Sequence, residues 1–255
     1  MMGYLSINRT LANSLSLRLL KMGGIMRLAD RVVIITGGGR GIGAAAARVI
    51  AAEGGKVLLG DMLEAECEQT AAAIRTAGGD AVFLRTDVTK AADCARLAAK
   101  AVERHGHLDA LICCAGILQG AMLQAEALDE ATFSSVLEVN LKGTFLTVQA
   151  ALPYLRKAEQ PAILLLASEA GVKVPSSSLA YGASKGGVHG FAMTLEAQLA
   201  PHGIRVNDIC PSSIATPMRI ENLVDRAKAA GKDPEEARAL AIQEADYMRG
   251  TIFTR

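Results

Sequence analysis

Tyr181 and Lys185 stand four residues apart in the run Tyr181-Gly182-Ala183-Ser184-Lys185. On a helix that spacing sets both side chains on one face, about one turn apart. A free tyrosine titrates near ~10, too high for a base at neutral pH. A neighbouring ammonium stabilises the phenolate and lowers that value. A tyrosine tuned in this way can take or give an alcohol proton, as hydride transfer to or from a carbinol carbon requires. A Tyr–Lys pair at this spacing also arises by accident on many helices, so its meaning depends on what accompanies it.

Two companions are within reach of the same chemistry. Ser168 closes the apolar, strand-like run Ala162-Ile163-Leu164-Leu165-Leu166-Ala167, thirteen residues before Tyr181. Far upstream, Val32-Val33-Ile34-Ile35 leads into Thr36-Gly37-Gly38-Gly39-Arg40-Gly41-Ile42-Gly43. A strand that stops and turns into a helix leaves backbone N–H groups unpaired at the helix start, and these together with the helix dipole favour a pyrophosphate. Side chains at such a turn would block close approach, which is the reason for glycine there. A plain Gly-rich turn between strand and helix is the simpler alternative for this segment alone.

The elements that must position these groups alternate between strand-like and helical runs, which predicts a single-domain α/β fold with a doubly wound, Rossmann-like parallel sheet. The small residues Ala44-Ala45-Ala46-Ala47 suit a helix packed tightly on that sheet. A second strand, Lys56–Gly60, ends at Asp61, ~20 residues beyond the glycines, where a carboxylate accepts hydrogen bonds from the adenosine ribose and repels a 2′-phosphate. This favours NAD over NADP. Arg40 is the counter-signal, since a base in the glycine loop could meet that phosphate. A third strand, Ala81–Leu84, runs into Asp87-Val88 ahead of a helix over 91–105, and Asp87 also reads as the N-cap of that helix.

In this order and at this separation, the motifs resemble the short-chain dehydrogenase/reductase family over about Arg27 to Met218, with the glycines in its TGxxxGxG spacing. The resemblance implies a nicotinamide cofactor held by Gly37, Arg40, Gly41, Ile42 and Gly43, with Asp61 at the ribose and Asp87 and Val88 at the adenine. Ala115 and Gly116 would line the cofactor floor. Ile214 and Thr216, after Asn207-Asp208-Ile209-Cys210-Pro211, would touch the nicotinamide amide. It also implies a catalytic set in which Tyr181 is the acid/base and Lys185 both activates it and holds the nicotinamide ribose. Ser168 would bond the substrate oxygen, and Asn140, in Val139-Asn140-Leu141-Lys142-Gly143, would support a water chain to Lys185. By itself Asn140 reads equally as a buried amide satisfying backbone. The implied activity is interconversion of a secondary alcohol and a ketone with NAD. Helices near 129–157 and 180–200 would build a homodimer or homotetramer.

The sequence departs from the family pattern at three places. Cys113-Cys114 stands where two asparagines are usual, ahead of Ala115-Gly116, and thiols are weak hydrogen-bonding groups. Ser212 stands where a glycine is usual, a cost if that position needs positive φ. No seventh strand is read between Arg219 and Arg255, which leaves strand six as an edge and makes a shortened or incomplete enzyme an expectation. These departures motivate a second reading, an NAD-binding sensor or partner subunit of weak or no activity. An epimerase also uses a YxxxK pair, but the glycine spacing and length argue against it. The segment over about 215–248 is charged and helical in pattern, with Asp233-Pro234-Glu235-Glu236 as a helix start, and reads as a lid over a small-molecule alcohol or ketone.

Composition excludes other classes. The net charge is +1 with charges mixed and no Trp, so no basic, aromatic-interleaved stripe offers itself to nucleic acid. Half of the 255 residues are apolar, enough for one large core. No run of ~20 apolar residues predicts a membrane span. The five cysteines, Cys67, Cys94, Cys113, Cys114 and Cys210, show no CxxC pair and read as free thiols in a reducing, cytoplasmic setting. No metal is expected from the linear spacing of Cys and His; His105-Gly106-His107 reads as a polar helix end. Residues 1–25 read as an N-terminal extension ahead of a natural start at Met26, or as a transit-like segment, since 1–29 holds Arg9, Arg18, Lys21 and Arg27 and no acid.

Overall fold

The computed structural model describes residues 26–212, 214 and 216–250; the N-terminal extension of residues 1–25, position 215 of the expected lid and the last five residues lie outside the described residues. Six strands alternate with helices: β1 (Val32–Thr36), α1 (Gly41–Ala52), β2 (Lys56–Asp61), α2 (Glu64–Thr76), β3 (Asp80–Arg85), α3 (Ala91–His105), β4 (Ala110–Cys113), α4 (Glu130–Leu137), α5 (Gly143–Leu155), β5 (Ala162–Leu166), α6 (Leu179–Leu199), β6 (Arg205–Ile209), α7 (Pro217–Ala229) and α8 (Pro234–Gly250). All five strand pairings are parallel, in the order β3-β2-β1-β4-β5-β6. The fold is therefore the doubly wound, Rossmann-like α/β sheet that the alternation predicts. The order reverses between β1 and β4, and in such sheets the crevice at the carboxyl ends of the switching strands takes the ligand.

Two layers cover the sheet. On one face, Val32, Ile34, Leu58, Leu111, Ile163, Leu165 and Val206 pack under Leu97 of α3, Leu155 of α5 and Val188 and Leu195 of α6. On the other, Val33, Ile35, Val57 and Leu59 pack under Ala47 of α1 and Cys67, Ala71 and Ile74 of α2. The β1 run VVIIT is buried at every position, as a central parallel strand covered on both faces must be. The alanines of α1 let that helix lie close to the strands: Ala44 and Ala47 are buried.

The helix expected over 129–157 is one continuous rod interrupted by a π-helical stretch, Glu138–Lys142, between α4 and α5. Asp129 caps its start by accepting from the Thr132 N–H at 2.8 Å. Among the described residues there is no seventh strand, and β6 pairs only with β5. The segment after β6 is helical in α7 and α8, with Asp233 accepting from the Glu235 N–H at 2.9 Å where the sequence placed a helix start. Ser212 is not strained: among the described residues, those at positive φ other than glycine are Asp30 and Met122. Asp87 does not cap α3, whose N-cap is Lys90; its carboxylate closes a turn on Thr89 instead.

Candidate active site

The glycine turn is built for close approach. Gly37 and Gly41 have φ of 69° and 58°. A Cβ on Gly43 would fall on the Gly37 carbonyl, so the first turn of α1 can rest on the end of β1 only without a side chain there. No side chain caps α1, so its opening N–H groups are free to meet an anion. Beside them lies a cleft of about 340 Å³ lined by Gly37, Arg40, Gly41, Ile42, Gly43, Asp61, Asp87, Val88, Ala115, Gly116 and Thr216. These are eleven residues drawn from the ends of β1, β2 and β4, the β3–α3 loop and the start of α7. The crevice thus gathers every residue that the sequence assigned to the cofactor on the adenosine side. Their chemistry fits a dinucleotide: an uncapped helix start for the pyrophosphate and a carboxylate at the end of β2.

Asp61 is held in place by backbone. Its Oδ2 accepts from the Gly39 N–H at 2.9 Å and its Oδ1 from the Leu63 N–H at 3.0 Å. Arg40 is engaged elsewhere, its guanidinium 3.0 Å from the Glu221 carboxylate of α7, and both side chains are partly exposed.

A second cleft, about 540 Å³, shares Ile42, Cys114, Gly116, Thr216 and Met218 with the first and adds Ser168, Tyr181, Lys185 and Ile214. Ser168 leaves the sheet at the end of β5. Tyr181 and Lys185 occupy the first turns of α6, whose N-cap Ser178 accepts from the Tyr181 N–H and donates to the Gln119 carbonyl at 2.6 Å. The loop from β5 is pressed against the helix. A Cβ on Gly171 (φ 92°) would strike the Gly182 backbone, so these two small residues let Ser168 and Tyr181 converge. Sequence reasoning missed this role; Gly182, directly after the tyrosine, was its only signal.

Burial raises the Tyr181 phenol above its ordinary value, and the neighbouring Ser168 hydroxyl offsets this only in part. The expected lowering by the ammonium is therefore not a property of this chain alone. Lys185 is 5% exposed, donates to the Leu166 carbonyl at 2.6 Å and lies 5.7 Å from the Tyr181 ring centre. Burial brings its ammonium down to about 8. Asn140 is fully buried in the π-helical stretch, with both polar atoms of its side chain hydrogen-bonded. It accepts from the Ile117 N–H at 2.8 Å and donates to the Ile117 carbonyl at 2.9 Å and to Ser184 Oγ at 3.0 Å. Asn140 and Lys185 both border Gly116, whose missing side chain leaves the space between them open.

The two cysteines differ. Cys113 is buried in β4, its thiol raised by burial, while Cys114 lines both clefts with its thiol pushed up to about 12, again by burial. Neither is a ready nucleophile. The remaining wall of the larger cleft comes from Leu118, Met122, Val174 and Pro175, opposite Met218 and Asn222 of α7. Met122, at φ 66°, is another site residue that sequence reasoning did not find.

Comparison with known proteins agrees with this geometry. The short chain dehydrogenase family matches residues 31–227. The chain is 37% identical over 236 residues to the 2,5-dichloro-2,5-cyclohexadiene-1,4-diol dehydrogenase LinX of Sphingobium indicum, covering 88% of this chain and 94% of that protein. Among solved structures it is similar to levodione reductase (TM-score 0.77, 31% identity, 83% of this chain and 81% of that one). It is also similar to the 3-ketoacyl-(acyl-carrier-protein) reductase of Brucella melitensis complexed with NADH (TM-score 0.71, 30% identity, 75% and 78%). The chain belongs to the short-chain dehydrogenase family. At that level its chemistry is oxidoreduction of CH–OH groups on small molecules by hydride transfer with a nicotinamide cofactor. Among the described residues no helix is long and apolar enough to cross a membrane.

Proposed function

We propose that this chain interconverts a secondary alcohol and its ketone using NAD(H), with Tyr181 as the acid/base. The observation that carries the reading is the convergence of Tyr181, Ser168 and Lys185 on one wall of a cleft that opens into the glycine cradle. A nicotinamide cofactor, when bound, supplies or accepts the hydride. Ser168 orients the substrate oxygen, and the Tyr181 hydroxyl gives that oxygen its proton in the reducing direction. Burial keeps the phenol protonated for that task. In the oxidising direction Tyr181 must first lose its proton, and the positive charge of a bound nicotinamide, added to the Lys185 ammonium near the ring, would favour the phenolate. Lys185 has two further N–H groups beyond its bond to Leu166, which suit the nicotinamide ribose. Asn140 fixes the backbone around Ile117, and the open space at Gly116 suits a water between Asn140 and Lys185. Ser168 and Tyr181 together stabilise charge developing on the substrate oxygen.

NAD is the preferred cofactor in this reading. Asp61 would face a 2′-phosphate directly, and the Arg40–Glu221 pair draws the competing base away. Asp87 and Val88 hold the adenine, and Ile214 and Thr216 the nicotinamide end. Residues 26–255 form the catalytic domain, with about 215–248 as its lid; Met218, Asn222 and Arg226 of α7 facing the cleft support that assignment. A homodimer or homotetramer through the helices of 129–157 and 180–200 is supported by Phe133, Phe145 and Met193, large apolar side chains that these helices leave exposed.

The test is titration of the full chain with NADH and NADPH, followed by a panel of secondary alcohols with wild type and Tyr181→Phe. Tighter NADH binding is expected, with turnover falling about 10²–10⁴-fold in the variant and cofactor affinity kept. Retained turnover in Tyr181→Phe overturns the acid/base assignment. NADH binding with no alcohol oxidised would leave the second reading, a dinucleotide-binding chain without catalysis.

A further inference from the structure

Outside the clefts, one cluster joins three metal-ligating groups that are remote in sequence. His189 sits on α6, two turns beyond Tyr181; Asp208 is near the end of β6 and Cys210 directly follows that strand. Asp208 lies on the same face of its strand as the buried Val206, which turns it toward α6. His189 Nδ1 is 2.8 Å from Asp208 Oδ2, and Cys210 Sγ is 3.6 Å from the same oxygen. The three ligand atoms all lie within 4.8 Å of one another. The linear sequence hides this because two elements supply the ligands, and neither alone has metal spacing.

We propose that His189, Asp208 and Cys210 form a binding site for a divalent transition cation of the zinc class. An imidazole nitrogen, a carboxylate oxygen and a thiolate sulfur are the donor types that zinc takes in tetrahedral sites. With metal–sulfur distances of about 2.3 Å and metal–oxygen or metal–nitrogen distances of about 2.0–2.1 Å, tetrahedral angles put sulfur about 3.6 Å from oxygen and nitrogen about 3.3 Å from oxygen. The sulfur–oxygen separation already matches. The nitrogen–oxygen pair needs to open by about half an ångström, a small rotation of a side chain that is 38% exposed. That exposure also leaves a fourth position to water. Charge balances: the ion's two positive charges meet one carboxylate and one thiolate, the Cys210 thiol losing its proton on coordination. Without an ion, burial and the Asp208 carboxylate hold that thiol protonated, with Lys173 nearby as a weak opposing charge.

The site ties β6, an edge strand of the sheet, to the helix that carries Tyr181 and Lys185. Its role is a clamp on the substrate side of the fold, separate from the acid/base set. The experiment is titration of the full chain, freed of metal by chelator, with cobalt(II) as spectroscopic probe and zinc as competitor. One equivalent of cobalt should give a thiolate-to-cobalt charge-transfer band that zinc abolishes, and zinc should raise the melting temperature. Cys210→Ser should remove the band, and His189→Asn and Asp208→Asn should each weaken zinc at least tenfold. NADH binding by each variant reports that the fold is intact and does not depend on the cation. Absence of a band in the wild type overturns the proposal and leaves a hydrogen-bonded His–Asp pair. A band that survives Cys210→Ser overturns it equally, by placing the metal elsewhere.

Discussion

One row of side chains crosses the sheet on the face of α1 and α2, from Phe83 through Leu59, Ile35, Ile112 and Leu164 to Asn207. Leu59 and Ile35 are fully buried beneath the two helices. Ile112 and Leu164 are only partly covered, and Asn207 is exposed. The helices packed on β5 and β6 are α5 and α6, both on the opposite face. Two halves of one sheet, with similar strand sequences, therefore differ in what holds them. Among the described residues, the half that builds the cofactor cradle has helices on both faces, and the half that carries Ser168 and supports α6 has them on one. The acid/base group thus stands at the less covered end of a fold whose cradle is the well-packed end.

Truncating one leucine of the row in each half sharpens that comparison most. Leu59→Ala should cost about 2–5 kcal/mol, since a closed cavity is left between β2 and the helices. Leu164→Ala should cost about 1–2 kcal/mol, because water reaches the position and no closed cavity forms. Urea denaturation of both variants measures the difference. Equal losses would mean that the two halves are equally well packed, and the comparison would fail.

A glycine pair makes the same contrast on a smaller scale. Gly43→Ala should destabilise by about 1–3 kcal/mol and weaken NADH binding at least tenfold, because its Cβ meets the Gly37 carbonyl. Gly190, on α6, has nothing within 4 Å of a Cβ, so Gly190→Ala should stabilise by about 0.5–1 kcal/mol through helix propensity alone. Opposite signs for one chemical change would show that the cradle is fixed by contact whereas this part of α6 is not.

What the sequence made legible follows this division. The strand ends, the glycine turn and Asp61 were readable because local rules govern them: apolar runs, the need for positive φ, and a fixed distance from turn to carboxylate. The strands β1, β2, β3 and β5 and the helix over 91–105 fall where apolar runs and breakers placed them, while β4, β6 and the helix near 180–200 fall where the family resemblance placed them. The substrate side was less legible because it rests on contacts between distant segments. Gly171 against Gly182, Met122 at positive φ and the meeting of His189 with Asp208 and Cys210 have no local signature. The adenine-side loop shows the same limit. Asp87, two residues past the end of β3, could be read as a cap or a ligand, and the cap is excluded by Lys90 at the N-cap position and by the bonds of Asp87 to Thr89.

Lys185 sits where the two halves meet, and its burial gives the finest test. Its ammonium titrates at about 8 in the folded chain against 10.5 for a free lysine. Below the folded value both states hold the proton, and the fold bears the full cost of a buried charge. Between 8 and 10.5 the unfolded chain binds more protons than the folded one, so folding stability from this group rises with pH. Above the unfolded value the cost is gone. Lys185→Met removes the group altogether, and its stability relative to wild type should therefore fall as pH rises through that window, whatever the offset from the lost bond to Leu166. Denaturation of both proteins at pH values below, within and above the window reads the slope. A flat difference would mean that the ammonium is solvated rather than buried, and that the cleft around Tyr181 is as open as the sheet edge beside it.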